Sequence, residues 1–269
     1  MRLLNGAELA EFIKERQARQ VRALRQADRI IPKLVIIDCT KSPIIAKYVA
    51  LKQRYAEDIL IDVDYQVVEQ SEAKALIQKL NIDVTVHGII VQIPLPDPSQ
   101  TDEIIGEISP EKDVDALLPS SSYDGATPLA INWLLTGYNI DLRGKNIVIV
   151  GQGRLVGAPL KRMLENSDLQ PIVVVENTKN PETIFADADV IITAVGKAGL
   201  ITSDMIPLDC VVVDAGVTSD AGVLKGDLAD DVYERQDLTL TPVKGGVGPL
   251  TVAALFDNLI RATYAAKNT

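Results

Sequence analysis

The sequence predicts an α/β fold of two domains with parallel sheets. The second is a Rossmann-type nucleotide-binding domain, and the active-site cleft lies between the two. Three observations predict this. Apolar strand-like runs alternate with helical patterns throughout the chain, the signature of β-α-β units. The stretch Asn146–Gly157, NIVIVGQGRLVG, reads as strand, glycine turn and helix, and it begins past the midpoint. The stretch Ser109–Tyr123 is rich in Pro, Ser and Asp and has no periodicity, which makes it the best boundary. The expected division is 1–118 plus 250–269 as a substrate domain and 119–249 as the dinucleotide domain.

In the first half the strands are expected at KLVIID, DYQVVE and GIIVQI, and the helices near 6–27, 44–56, 71–80 and 101–107. Asn5 followed by Glu8 resembles a capping box opening the first helix. In the second half the strands are NIVIVG, PIVVVE, ADVIITAV, CVVVDAG and DLTLTP. Leu155–Leu164 reads as the helix after the glycine turn, and Leu250–Ala266 as a final helix that packs back on the first domain.

Composition narrows the function. Of 269 residues, 47% are hydrophobic, enough for a sizeable core. The net charge of -10 argues against nucleic acid or an anionic membrane as partner, since both need a basic face. No apolar run is long enough to span a membrane, and the charged, amphipathic N-terminus is no signal peptide. Cys39 and Cys210 sit in apolar runs and read as reduced core residues of a cytoplasmic protein. With His87 the only histidine and no paired cysteines, no metal site is expected.

Several residues carry candidate chemistry. Gly151, Gly153 and Gly157 form the turn, where the pyrophosphate would sit on N–H groups at a helix start. Glu176 ends the next apolar run, where a carboxylate would bind both ribose hydroxyls and repel a 2′-phosphate. Tyr48 and Lys52 are four apart in a helical pattern and share a face; a lysine in a closed pocket loses its charge more easily and can move protons. Taken alone, such a pair reads more readily as a solvated lysine and a half-buried aromatic. Gln92 closes a strand, at the end where parallel sheets bind ligands. Asp113 and Asp115 flank Val114 in a segment that reads as extended, so that they would share a face, as an acid pair or as solvated turn residues. Gly245-Gly246-Val247-Gly248-Pro249 allows close backbone approach to a flat ligand.

Taken together, these positions resemble the bifunctional methylenetetrahydrofolate dehydrogenase/methenyltetrahydrofolate cyclohydrolase family, from LNGAELA to the final helix. The specific pieces are Tyr48 and Lys52, VHGIIVQIPLP, PEKDVD ending at Asp115, and GGVGPLTVA. The resemblance implies Lys52 as the central catalytic group of the hydrolytic step, assisted by Tyr48 and Gln92, with Asp115 holding the pterin ring. It implies a folate pocket lined also by Val91, Ile93 and the run Lys244, Gly245, Gly246, Val247, Gly248, Pro249, Leu250, Thr251. It implies NAD or NADP held by Gly151, Gln152, Gly153, Asn177 and Val217, to which the reading of the residues adds Glu176, with tetrahydrofolate as substrate carrier, no metal, and a cytoplasmic homodimer.

Several positions depart from the family pattern. Ile45 stands for the serine before the tyrosine, and Lys244 for the proline that opens the glycine loop. IDCTKSP replaces a glycine-containing turn, and the connection from Asp115 to Thr127 is short. The cofactor turn reads GQG rather than GRS, and Glu-Asn-Thr-Lys follows the next strand. These last changes remove 2′-phosphate contacts and install a carboxylate, so an NAD preference is expected, with Arg154 and Lys179 the residues that would rescue NADP. The alternatives are a dehydrogenase that has lost hydrolysis through Ile45 and Lys244, and a non-catalytic folate- or nucleotide-binding paralogue.

Overall fold

The computed structural model describes residues 1–220 and 223–267. These fall into two compact units, each discontinuous in sequence. One comprises Phe12–Ala126 and the chain from Val252 onward; the other comprises Met1–Glu11 and Thr127–Thr251.

The first unit is built on three strands, β2 (Lys33–Asp38), β3 (Asp62–Val67) and β4 (Gly88–Val91), in the order β3-β2-β4 and all parallel. Alternating residues of β2 fill both faces. Val35 and Ile37 join Ile89 and Val91 of β4 against α3 (Ala73–Ile82) and α4 (Thr101–Ile105). Leu34, Ile36 and Ile90 point the other way and are equally buried, as a parallel sheet covered on both faces requires. Helix α2 (Pro43–Asp58) links β2 to β3. Most of α1 (Gly6–Ala23) and of α8 (Val247–Lys267) also belongs to this unit. Asn5 caps α1 by accepting from the Glu8 N–H at 3.3 Å.

The second unit is built on six parallel strands in the order β1-β11-β8-β7-β5-β6. They are β1 (Arg2–Leu3), β5 (Ile147–Val150), β6 (Ile172–Val174), β7 (Val190–Thr193), β8 (Val211–Asp214) and β11 (Thr239–Leu240). Strands β9 (Thr218–Asp220) and β10 (Val223–Lys225) pair antiparallel as a separate ribbon. Val148, Val150, Ile191, Val212 and Leu240 form one core face with Phe185 of α7 (Pro181–Ala186); Ile147, Ile149, Ile192 and Val213 are buried on the other.

β1 pairs with β11, and Met1–Glu11 groups with the six-stranded unit. Three expectations are revised. The helix after the glycine turn, α6, runs Gly157–Glu165 and starts two residues later than its apolar pattern. Helices α5 (Ala126–Gly137) and α7 were not anticipated. Asp113-Val114-Asp115 is a turn, not an extended segment, because Ala116 takes φ +55° and reverses the chain.

Candidate active site

In the three-stranded unit, β4 delivers Gln92 and α2 delivers Tyr48 and Lys52. The Gln92 N–H continues the sheet by donating to the Ile37 carbonyl at 2.8 Å, which fixes its side chain at the strand end. One turn apart on α2, Tyr48 and Lys52 are both partly buried. Lys52 Nζ donates to Gln92 Oε1 at 3.4 Å. Burial holds the Lys52 ammonium below the usual lysine range, against the smaller opposing pull of Asp115. Burial in turn pushes the Asp115 carboxyl up, opposed by the charge of Lys52. Lys52, Gln92 and Asp115 thus form one cluster: a cation of weakened charge, a neutral amide and a carboxylate.

The turn bearing Asp115 is held from several sides. Fully buried Asp113 accepts from the Leu117 and Leu118 N–H groups at 3.2 and 2.8 Å, and its backbone carbonyl accepts from Ser121 Oγ. Lys112 Nζ donates to the Leu80 and Asp83 carbonyls, and Ile89 N donates to the Lys112 carbonyl. From α8, Asn258 Nδ2 donates to the Val114 and Asp124 carbonyls at 2.9 and 2.8 Å. The two aspartates therefore do not share a face: Asp113 caps its own turn while Asp115 faces the lysine. Sequence reasoning missed Asn258, which sits unmarked in an apolar helix. His87 is structural, since its Nδ1 accepts from the Lys33 N–H at 3.2 Å.

In the six-stranded unit the neighbours of β5 are β6 on one side and β7 on the other. This is the switch point of the sheet, outside whose carboxyl strand ends α/β folds bind ligands. Two glycines of the turn there each have their own reason. Gly151 has φ +97°, and a Cβ would stand 2.9 Å from the Ala194 carbonyl oxygen. A Cβ on Gly157 would overlap the Gly151 carbonyl where α6 leaves the strand. Gly153 has open space around it, so no protein neighbour demands glycine there. Four aliphatic side chains at these strand ends are left exposed: Leu155 (46%), Val175 (42%), Val195 (46%) and Val217 (54%). Glu176 and Asn177 are exposed on the turn after β6, which is closed by the Thr178 N–H on the Val175 carbonyl. A glycine turn, an apolar ledge and a carboxylate fit a dinucleotide.

The loop preceding α8 belongs to this unit. Gly245 has φ +83°, its carbonyl accepts from the Ala7 N–H at 2.9 Å, and a Cβ on Gly6 would overlap the Gly246 carbonyl. Residues 244–251 therefore group with the glycine turn, whereas Tyr48, Lys52, Val91, Gln92, Ile93 and Asp115 group in the other unit. Among the described residues no cluster of three potential metal ligands occurs, and no helix is long and apolar enough to cross a membrane.

A parallel sheet with a glycine turn at its switch point, and a unit carrying a lysine–amide–carboxylate cluster, define a nucleotide-dependent α/β enzyme. The profile of the tetrahydrofolate dehydrogenase/cyclohydrolase catalytic domain matches residues 4–115, and that of the family's NAD(P)-binding domain matches residues 125–267. The chain belongs to the tetrahydrofolate dehydrogenase/cyclohydrolase family. It is 36% identical to the bifunctional protein FolD of Lactobacillus helveticus, over 97% of each chain. The crystal structure of the bifunctional enzyme FolD, methylenetetrahydrofolate dehydrogenase/cyclohydrolase, from Campylobacter jejuni is similar with a TM-score of 0.92 and 35% identity, covering 100% of this chain and 99% of that one. The Trypanosoma brucei N5,N10-methylenetetrahydrofolate dehydrogenase-cyclohydrolase, solved with NADP cofactor and inhibitor, has a TM-score of 0.93 at 28% identity, covering 99% and 98%.

Proposed function

We propose that the protein oxidises 5,10-methylenetetrahydrofolate to the 5,10-methenyl form with NAD(P)+ and hydrolyses that product to 10-formyltetrahydrofolate. The observation that carries this is the Lys52–Gln92–Asp115 cluster, in a chain whose family carries both activities in its description. NAD(P)+, when bound, supplies the acceptor for the hydride that leaves the methylene carbon. The resulting methenyl group is a cation, so a fully charged lysine beside it would oppose its formation. Burial disfavours the charged form of Lys52 and so lessens that opposition.

The same amine serves hydrolysis. An N–H of Lys52 given to Gln92 leaves the nitrogen lone pair of the neutral form available. That nitrogen takes a proton from the water whose oxygen bonds to the methenyl carbon. Cleavage of the bond from this carbon to N5, with the proton returned to N5 and the hydroxyl proton lost to solvent as the C=O forms, leaves the formyl group on N10. Asp115 holds the pterin ring by accepting its N–H groups, and Tyr48 orders the amine from one helical turn away. Val91, Ile93 and residues 244–251 are assigned to folate on the resemblance alone. Phe12–Ala126 with the chain from Val252 onward is our proposed folate domain, and Thr127–Thr251 with the N-terminal residues the cofactor domain.

Gly151, Gln152, Gly153, Glu176, Asn177 and Val217 are proposed to hold the cofactor. The exposed carboxylate of Glu176 supports a preference for NAD over NADP. A cytoplasmic homodimer is proposed from the resemblance, and the two free buried cysteines agree with a reducing compartment. Sedimentation of the purified chain tests the dimer. The decisive assay mixes methylenetetrahydrofolate with NAD+ or NADP+ and follows reduced cofactor and methenyl product by absorbance. Both signals are expected, with methenyl decay faster than in buffer. Absence of cofactor reduction with either nucleotide rejects the reading.

A further inference from the structure

The end of β7 and the loop that follows it, Thr193–Lys197, lie beside the glycine turn at the switch point, with the Ala194 carbonyl against Gly151. This loop is held by a side chain far along the sequence. Asp227 is fully buried, and its carboxylate accepts four hydrogen bonds from the loop. Thr193 Oγ1 donates at 2.6 Å, and the N–H groups of Val195, Gly196 and Lys197 each donate at 2.8 Å. Gly196 has φ +78°, which turns three successive N–H groups toward one point. Such a nest is a concavity built for an anion, and here the protein fills it with its own carboxylate.

Asp227 is seated in its turn by Asp214 at the end of β8. Asp214 accepts from the Asp227 and Leu228 N–H groups at 3.1 Å each, and from Gly216 N–H at 2.9 Å. The space for both carboxylates comes from two glycines: a Cβ on Gly216 would overlap the Asp227 carboxylate, and a Cβ on Gly226 that of Asp214. The pair thereby fixes both loops that carry the exposed Val195 and Val217. Burial pushes the Asp214 carboxyl up to about 6, the cost of placing a second acid here, and the arrangement keeps it in place.

We propose that Asp227, seated by Asp214, is the positioning residue for dinucleotide binding: it locks the Thr193–Lys197 segment in the shape that receives NAD(P). Because the nest is already occupied, the pyrophosphate is left to the glycine turn alone. The proposal rests on the reading that this unit binds NAD(P). The test uses the full-length protein and isothermal titration with NAD+ and with NADP+, alongside the melting temperature and cofactor-free hydrolysis of methenyltetrahydrofolate. Asp227→Asn turns an NH2 toward the loop N–H groups and is expected to weaken nucleotide binding about tenfold or more, while Thr193→Val, which removes one bond, weakens it about threefold. Hydrolysis is expected to stay within about twofold in both, because the altered hydrogen bonds and the Lys52 cluster belong to different compact units. Unchanged nucleotide affinity in Asp227→Asn overturns the proposal, as does a parallel loss of hydrolysis. If Asp227→Asn does not fold, Thr193→Val decides by the same criteria. Wild-type protein that binds neither nucleotide rejects the NAD(P) reading itself, a result distinct from a wild type that binds and a variant that binds equally.

Discussion

Each unit holds a pair of buried or half-buried aspartates, and the two pairs are put to different uses. In the six-stranded unit, Asp214 and Asp227 are both saturated with backbone N–H donors, and each serves to hold chain. In the three-stranded unit the pair is split. Asp113 has two N–H donors and closes a turn, while among the described residues no N–H donates to the Asp115 carboxylate, whose partner is the charge of Lys52. The lesson is that burial alone does not mark a carboxylate as chemical. What suits Asp115 to the role proposed for it is unspent accepting capacity next to a weakened cation, since a carboxylate already surrounded by N–H groups has little left to offer a ligand.

The comparison can be broken most directly at Lys52. Lys52→Met should lower methenyltetrahydrofolate hydrolysis by about a hundredfold or more, the usual share of a proton-transfer group, with the far-ultraviolet dichroism unchanged. Retained hydrolysis would remove the lysine from the mechanism.

Next in size is the split between the two acids of the turn. Asp115→Asn should raise the folate KM by about tenfold or more. It should also move the acid limb of the hydrolysis profile. Hydrolysis needs the neutral amine, so the rate falls as pH drops through the Lys52 pKa. Asp115 raises that pKa, so removing its charge lowers it further and shifts the limb to lower pH. Asp113→Asn should instead lower stability by about 1–3 kcal/mol, read from urea melts, with the acid limb unmoved. A shift of the limb in Asp113→Asn and none in Asp115→Asn would reverse the assignment.

The glycine turn offers a third contrast of the same kind. A methyl group at Gly153 meets open space, so Gly153→Ala should keep the wild-type melting temperature and still weaken NAD(P) binding about tenfold by crowding the ligand. If affinity is unchanged, no ligand lies over that residue. The smallest expected effect is at Glu176: Glu176→Gln should shift the ratio of NAD+ to NADP+ rates toward NADP+ by a few-fold, about the worth of one exposed charge. A wild type that already prefers NADP+ strongly would reject the role given to this carboxylate.

Much of this was legible in the sequence because parallel strands buried on both faces write themselves as β-branched runs. KLVIID and NIVIVG are such runs: the first forms the central strand of its sheet, and the second forms β5, an interior strand paired on both sides. Local geometry placed Tyr48 and Lys52 on one helix face and Gln92 at a strand end, while the roles expected of them came from the family resemblance. Other elements left no local trace. α5, ATPLAINWLLTG, is apolar on most sides and shows no stripe for a helical period to reveal. β1 is two residues long and exists only through pairing with β11. The left-handed Ala116 turned an apparently extended Asp-Val-Asp into a reversal, and alanine gives no warning of that conformation. The Asp214–Asp227 pair and Asn258 depend on tertiary approach, which no local pattern records.

The union of β1 with β11 bears on how this polypeptide can be cut. Arg2 and Leu3 register with Thr239 and Leu240, covering what would otherwise be an open sheet margin. A fragment beginning at Thr127 carries the whole nucleotide turn yet loses that cover, leaving β11 with bare N–H and carbonyl groups to recruit another copy. Such a fragment is a candidate for self-association, and restoring the short leading strand, by circular permutation or as a supplied peptide, is the natural remedy.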